Sequence, residues 1–297
     1  MLLSVLDQSP VPEGGTPAQA LRATVDLAIA AEALGYHRFW VAEHHGTAAF
    51  AGSAPEITAS AVLAVTTSMR VGSGGVLLPR YAPAKVAEVF SILGALHPGR
   101  VDLGVGRAGG PAHDFPEKLV ELLARLPAGP PLWLLGASTG SAALAAELGT
   151  AYCFAHFLNP GPGVAAMTRY RETARRRGAL AVRVLVADTE AEARRLSRAL
   201  LLWRARRDLG HDEPIPDPDR AAGHEWSAAE RDRAAVGVNA LVSGTPEQVR
   251  ARLLDLADRH GVDELVVNTL THAPADRLRS YRLLAQALAD APAVTAG

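Results

Sequence analysis

Eight short, nearly continuous apolar runs recur along the chain, at 2–7, 37–42, 70–77, 100–106, 131–136, 151–157, 181–187 and 263–269, with longer helical stretches between them. Strands that read apolar throughout are strands covered on both faces, as in a parallel sheet wrapped by helices. Eight strand–helix alternations within 297 residues favour a closed (β/α)8 barrel over an open doubly wound sheet. The expected architecture is an α/β fold, a single TIM-barrel domain over 1–297.

Helix boundaries agree with that rhythm. Thr16-Pro17-Ala18-Gln19 and Thr245-Pro246-Glu247-Gln248 each join a capping hydroxyl, a proline in the first helical turn and a glutamine able to cap in return. Thr189 and Glu192 form a third such box. Gly35, Gly149, Gly178 and Gly261 close helical stretches as left-handed cap residues. Two segments break the pattern. Residues 204–237, with Pro214-Ile215-Pro216-Asp217-Pro218 inside them, are too long for an ordinary connector and are expected as a mobile loop, either a lid over the barrel mouth or disorder. Residues 107–130 form an unusually short excursion after the fourth strand.

Charge and cysteine content narrow the function classes. A net charge of -1 offers no basic excess for nucleic acid, and one cysteine, Cys153, rules out an internal disulfide framework or a multi-cysteine metal site. The start of the chain lacks a signal-peptide pattern, and nothing approaches the ~18 uninterrupted apolar residues of a membrane span. A cytoplasmic protein is expected, acting on a small molecule, with no membrane and no nucleic acid.

In a parallel barrel the carboxyl ends of the strands converge on one mouth, where active sites sit. Ala42-Glu43-His44-His45 ends the second strand there. Neighbouring strand residues face opposite ways, so one imidazole faces the axis unless both lean in at the strand's end. An imidazole there can take or give a proton; the alternative is a structural histidine. Adjacent histidines do not form a metal pair, and no second cluster of metal-ligand spacing exists, so no metal is expected.

Gly104-Val105-Gly106-Arg107-Ala108-Gly109 matches G-x-G-x-x-G, but it follows the fourth strand rather than the first, so a Rossmann reading fails. Arg107 either clamps an anion or is a solvated turn residue. Gly136-Ala137-Ser138-Thr139-Gly140-Ser141 opens a helix after the fifth strand, where amides and hydroxyls can receive a phosphate or simply cap the helix. Gly72, Gly74 and Gly75 interrupt the third strand, marking either a bulge or a place where a flat ligand meets bare backbone. Asp7-Gln8-Ser9 and Phe154-Ala155-His156-Phe157 add polar atoms at the mouth, or serve turn chemistry and rim packing.

Together these segments resemble the bacterial luciferase-like family of flavin-dependent monooxygenases. The likeness runs from Ser4-Val5-Leu6-Asp7-Gln8-Ser9-Pro10 through Ala42 to His45, Val71 to Pro79, His97-Pro98-Gly99-Arg100, Leu103 to Arg107 and Trp133-Leu134-Leu135-Gly136 to Arg277-Leu278-Arg279-Ser280-Tyr281. The resemblance implies an enzyme with a (β/α)8 barrel that uses reduced FMN and O2 to oxygenate a small organic substrate. It implies that His44 is the active-site histidine, with Glu43 and His45 beside it. Arg107, Ser138 and Ser141 would hold the FMN phosphate, and Gly74-Gly75 would support the ring, often through a non-proline cis peptide. A separate flavin reductase and a homodimer are implied as well. Within the same superfamily a deazaflavin coenzyme with hydride transfer is the alternative, and a non-catalytic flavin-binding subunit is the third. The Ala- and Arg-rich composition suggests a high-GC genome and a role in natural-product tailoring. The short segment after Arg107 and the presence of Ala137, where some relatives carry an acid, are departures from the family pattern.

Overall fold

In the computed structural model, which describes residues 1–107 and 113–289, the strands are β1 (Leu2–Asp7), β2 (Arg38–Val41), β3 (Arg70–Ser73), β4 (Val76–Leu77), β5 (Val101–Gly106), β6 (Leu132–Gly136), β7 (Ala151–Ala155), β8 (Ala179–Val186), β9 (Leu241–Gly244) and β10 (Glu264–Asn268). The pairings between these strands are parallel, in the order β10-β1-β2-β3-β5-β6-β7-β8, and β8 pairs back to β10 to close the ring. β3 and β4 share one position because both pair with β5. Eight barrel positions result, each matching one of the eight apolar runs. β9 was not expected: it lies along the upper half of β8, from Arg183↔Leu241 to Val186↔Gly244.

The helices are α1 (Pro17–Ala33), α2 (Pro55–Val65), α3 (Pro83–Leu96), α4 (Phe115–Ala124), α5 (Thr139–Glu147), α6 (Gly163–Ala174), α7 (Glu190–Asp208), α8 (Pro218–Ala222), α9 (Ala228–Val238), α10 (Pro246–His260) and α11 (Pro274–Ala289). The boxes at Thr16 and Thr245 cap α1 and α10 as read from the sequence. Gly35, Gly149 and Gly261 take left-handed φ values of 80°, 68° and 65°. Gly178 does not; α6 closes earlier, on Arg175 at φ 56°. None of the helices in the described residues is long and apolar enough to cross a membrane.

Residues alternate between the barrel axis and the helix layer, so the interior is built in storeys. At the floor, Asp102 accepts hydrogen bonds from Arg38 (2.9 Å), Arg70 (3.0 Å) and the Trp40 indole (3.1 Å). Arg38 also reaches Glu264 at 2.7 Å, and Ser4 donates to the same carboxylate at 2.6 Å. Above them an apolar storey is formed by Leu6, Trp40, Trp133, Cys153, Ala181 and Val266. The opposite parity of each strand faces the helices in a larger core that includes Val5, Phe39, Tyr152, Val182 and Tyr281.

Residues 204–237, expected as a mobile loop, are mostly helical. They comprise the end of α7, all of α8 and nearly all of α9. Long-range contacts impose the order, which is why hydrophobic periodicity misses it. Arg206 bridges Glu213 and Glu230, Arg195 reaches Asp219, and Ile215 is buried and pairs by backbone with Pro12. The Pro-rich stretch is thereby tied across the barrel mouth.

Removing one partner from a buried ionic cluster leaves the other charges uncompensated, at a cost of about 3–5 kcal/mol. Asp102→Ala should therefore lower unfolding stability by about that amount in urea titrations. A loss below about 1 kcal/mol, the scale of a surface pair, would show that the floor is not a stabilising network.

Candidate active site

β2 hands its last residues to the mouth in alternation. Trp40, Ala42 and His44 share the inward parity, while Val41, Glu43 and His45 share the outward one. The adjacent pair is thus split. His44 faces the axis, where its Nε2 lies 3.1 Å from the Gln8 side-chain nitrogen and its ring is 4.3 Å from Phe50. Its Nδ1 is buried with no partner among the described residues. Burial pushes the His44 imidazole down to about 3, helped by the charges of Arg207, Arg183 and His45. The ring is neutral at neutral pH.

Glu43 and His45 turn the other way. Glu43 is buried and accepts from the His45 ring (2.5 Å), the Leu77 amide (2.9 Å) and the Tyr81 hydroxyl (2.7 Å). Burial, and next the hydrogen bond to Glu43, push the Tyr81 phenol up to about 12. The carboxylate bonds β2 to β4, and its oxygens are committed to that brace. His45 lies on the outside of it, with its side chain 28% exposed.

Gly74 and Gly75, joined by a cis peptide, form the wall at the top of β3. A Cβ on Gly74 would come within 2.6 Å of Leu6, and one on Gly75 within 2.8 Å of the Gly104 carbonyl oxygen. Only bare backbone fits at these two positions. Two strands of the mouth carry the anion-binding candidates. Arg107 is exposed just past β5; Ala108 and Gly109, the end of the glycine pattern, lie outside the described residues. On neighbouring β6, Ser138 caps α5: it accepts from the Ser141 amide at 3.1 Å, and its own amide donates to Ser141 Oγ at 3.3 Å. Ser141 Oγ also lies 2.9 Å from the Tyr152 hydroxyl, so much of its capacity is used internally. The amides of Thr139 and Gly140, first in the helix, have no intrahelical carbonyl to reach and are left for an anion.

Several residues of the mouth were not singled out from the sequence. Arg183, inward-facing on β8, is buried; its Nε donates to Asn268 (3.0 Å) and an Nη to Gln8 Oε1 (3.4 Å). Burial, followed by the charges of Arg204 and Arg207, pulls this guanidinium down to about 9. Because Arg183 claims the Gln8 oxygen, the Gln8 amide N–H groups face His44 Nε2, which must then accept. The His44 proton therefore sits on Nδ1, the atom without a partner. Phe50 meets Trp203 edge-on at 5.5 Å, and the Arg207 guanidinium lies 5.1 Å and 5.3 Å from their rings. This stack lays α7 over the mouth. The available signal for Arg183 was a lone arginine inside the apolar run Ala181-Val182-Arg183-Val184-Leu185-Val186.

Two expected mouth groups lie elsewhere. Asp7 faces the helices, accepting from Thr24 (2.7 Å) and pairing with Arg277 (2.8 Å), so of its tripeptide only Gln8 enters the mouth. β7 ends at Ala155, and His156 turns outward against His260, ring centres 5.6 Å apart. Burial pulls His156 down to about 4, with His260 and Arg259 adding to it. Among the described residues no group of three His, Cys, Asp or Glu side chains could hold a metal ion.

Comparison with known proteins places these features in context. The family model described as luciferase-like monooxygenase matches residues 1–119 and 114–264, its two pieces meeting just beyond Arg107. The uncharacterized protein YwcH of Bacillus subtilis (strain 168) is 42% identical over 330 aligned positions, covering 97% of this chain and 99% of the relative. N-acetyl-S-alkylcysteine monooxygenase of the same organism is 34% identical, covering 96% and 98%. The crystal structure of apo-MsnO8 superposes with a TM-score of 0.87 at 40% identity, covering 98% of this chain and 99% of that one.

A histidine titrating at 6.5 when unfolded and about 3 when folded binds its proton more readily in the unfolded chain. Its contribution to stability is complete above 6.5 and is lost as the pH falls towards 3. Replacing His44 with Gln should flatten the decline in Tm between pH 6.5 and about 4. Parallel declines in both proteins would show that His44 is not buried in its neutral form.

Proposed function

The chain belongs to the luciferase-like monooxygenase family of oxidoreductase enzymes, and from that membership we propose that it uses reduced FMN and O2 to oxygenate a small organic molecule. The observation that carries the FMN assignment is the anion seat on neighbouring strands, Arg107 beyond β5 and the open amides of α5 beyond β6, at the same mouth as the bare Gly74-Gly75 wall. Reduced FMN, when bound, supplies the electrons that activate dioxygen, one atom of which enters the substrate.

The chain's own residues do the rest. Arg107 and the Thr139 and Gly140 amides hold the phosphate by charge-assisted hydrogen bonds. Gly74 and Gly75 accept the flat ring because no side chain stands there. His44, neutral with its proton on Nδ1, holds that proton at a defined atom beside the mouth. Glu43 and His45 act through the brace that positions β2 against the glycine wall. Phe50, Trp203 and Arg207 exclude water from the space between.

A separate flavin reductase delivers the reduced cofactor in this reading. Ile57, Ile92 and Leu96, 68%, 61% and 67% exposed on α2 and α3, support pairing of two copies into a homodimer. The alignment with YwcH spans 330 positions against 297 residues here, so the relative carries insertions this chain lacks. A family match that breaks just beyond Arg107 supports a substrate wall trimmed there. Tailoring of a natural product is the role this reading assigns.

The test begins with anaerobic titration of reduced FMN, followed by admission of oxygen. Reoxidation slower than for free reduced FMN is the expected result; binding without any change in oxygen reactivity overturns the oxygenase assignment. Failure to bind FMN, with binding of a deazaflavin coenzyme, would replace oxygenation by hydride transfer. Arg107→Ala should weaken FMN by about ten-fold or more and leave riboflavin, which has no phosphate, nearly unchanged. Equal losses for the two would refute the phosphate clamp.

A further inference from the structure

The fold neutralises its other fully enclosed arginine with an acid: Arg277 is 2 % exposed and faces Asp7 at 2.8 Å. Arg38 at the barrel floor has two carboxylates, Asp102 and Glu264. Arg183 is 6 % exposed and makes no salt bridge among the described residues; its hydrogen-bond partners are the neutral side chains Asn268 and Gln8, and the acid that acts on it from α7, Asp208, is already paired with Arg204. Above it, α7 adds two more cations. Arg204 is matched by Asp208 at 2.9 Å, while Arg207 lies on the Phe50 and Trp203 rings. A desolvated cation without a counter-charge is destabilising, and hydrogen bonds to neutral amides do not cancel its charge.

Place decides what the missing charge belongs to. In the eight-position ring, β8 stands four positions from β3, directly across from the Gly74-Gly75 wall. The phosphate seat lies on β5 and β6, with β7 between it and Arg183. A ring resting on the glycine wall leaves its other face towards β8, which is the side where substrate must enter. Beside Arg183 is a cavity of about 50 Å³ whose lining is apolar at Phe157, Leu158, Leu200 and Leu241 and also carries the Arg204–Asp208 ion pair, whose charges offset one another. That volume admits a small headgroup such as a carboxylate, and the apolar border suits the carbon skeleton attached to it.

We infer that Arg183, aimed by Asn268 and Gln8, recognises an anionic oxygen group on the substrate, so that the enzyme acts on an organic acid. The guanidinium uses an Nε–H and one Nη–H on its protein partners, and its remaining donors suit the paired oxygens of a carboxylate. Gln8 touches both Arg183 and His44 and fixes the substrate's anchor and the Nδ1 proton in one frame. The inference rests on the cofactor reading above for which part of the bound complex carries the charge; the anion site itself does not depend on it.

The experiment uses acetate and its neutral counterpart acetamide as probes, followed by NMR line broadening against the full-length protein, with and without FMN. Acetate should bind saturably and at least about ten-fold more tightly than acetamide, the scale of a charge-assisted hydrogen bond. Arg183→Met should abolish that preference, Arg183→Lys should retain part of it, and both should bind FMN within about two-fold of the unchanged protein. Because the methionine variant removes a buried unpaired charge, its Tm should equal or exceed that of the parent. Acetate binding no better than acetamide, or undisturbed by Arg183→Met, overturns the proposal. A fall in FMN affinity parallel to the loss of acetate also overturns it, by assigning Arg183 to the cofactor. Absence of FMN binding to the parent protein, with the acetate preference intact, fails the cofactor reading and upholds the anion site.

Discussion

Asp102 accepts from Arg38, Arg70 and Trp40 inside the barrel floor, and the storeys above are stacked on that one carboxylate. An eight-stranded barrel is filled by its own side chains, so a charge buried at the floor is costly unless it meets its opposite across the ring. Five strands contribute to the cluster, β1, β2, β3, β5 and β10, and its bonds tie their relative heights together. With those heights set, Trp40 and Trp133 meet edge-on at 5.0 Å in the middle storey. Gln8, His44, Arg183 and Asn268 then arrive together in the upper one.

The upper storey reverses the logic of the floor. Below, charge is balanced and the network stabilises; above, Arg183 and Arg207 make no salt bridge among the described residues, the Asp208 carboxylate near them being paired with Arg204 at 2.9 Å, while two other carboxylates at the strand ends are occupied elsewhere. Asp7 is held by Arg277 and Thr24 in the helix layer, and Glu43 is held by Leu77 and Tyr81. The same parity rule that brings His44 inward sends Glu43 outward. The mouth thus combines two arginines without salt-bridge partners and a neutral histidine whose tautomer is set by Gln8. α7 and the segment 211–217 close it from above, where Asp212 receives the Thr47 hydroxyl at 2.6 Å and Trp203 donates to the Glu213 carbonyl at 3.1 Å.

The closing motif Arg277-Leu278-Arg279-Ser280-Tyr281 shows how far a local pattern can carry structural rather than chemical meaning. Arg277 anchors Asp7 of β1, the Ser280 hydroxyl accepts the Val186 amide of β8, and Tyr281 donates to the Val267 carbonyl of β10. Three of these five residues thus pin α11 to three strands across the seam where the barrel closes. His97-Pro98-Gly99-Arg100 is similar in kind, with Arg100 donating to Thr66 and Met69 at the base.

By itself the sequence determined the eight barrel strands and the principal helix caps, because each follows from local rules, apolar runs and capping chemistry; strand parity limited the axis to one of two adjacent histidines unless both leaned in, and only the family resemblance pointed to His44. It also placed Arg107, Ser138, Ser141 and the Gly74-Gly75 wall at strand ends, since a parallel barrel gathers those ends at one mouth. Tertiary structure alone decided that 204–237 is built from helices, that β9 extends the sheet and that His156 turns away to His260. It decided too that Glu43 is a brace and Arg183 an uncompensated cation. In each case the outcome depends on which distant side chain comes within hydrogen-bonding reach: Glu213 and Glu230 for Arg206, Tyr81 for Glu43, and, among the described residues, no acid within salt-bridge distance for Arg183. Sequence spacing encodes which face a residue takes on its own strand or helix; it does not encode what the opposite face of the barrel will present to it.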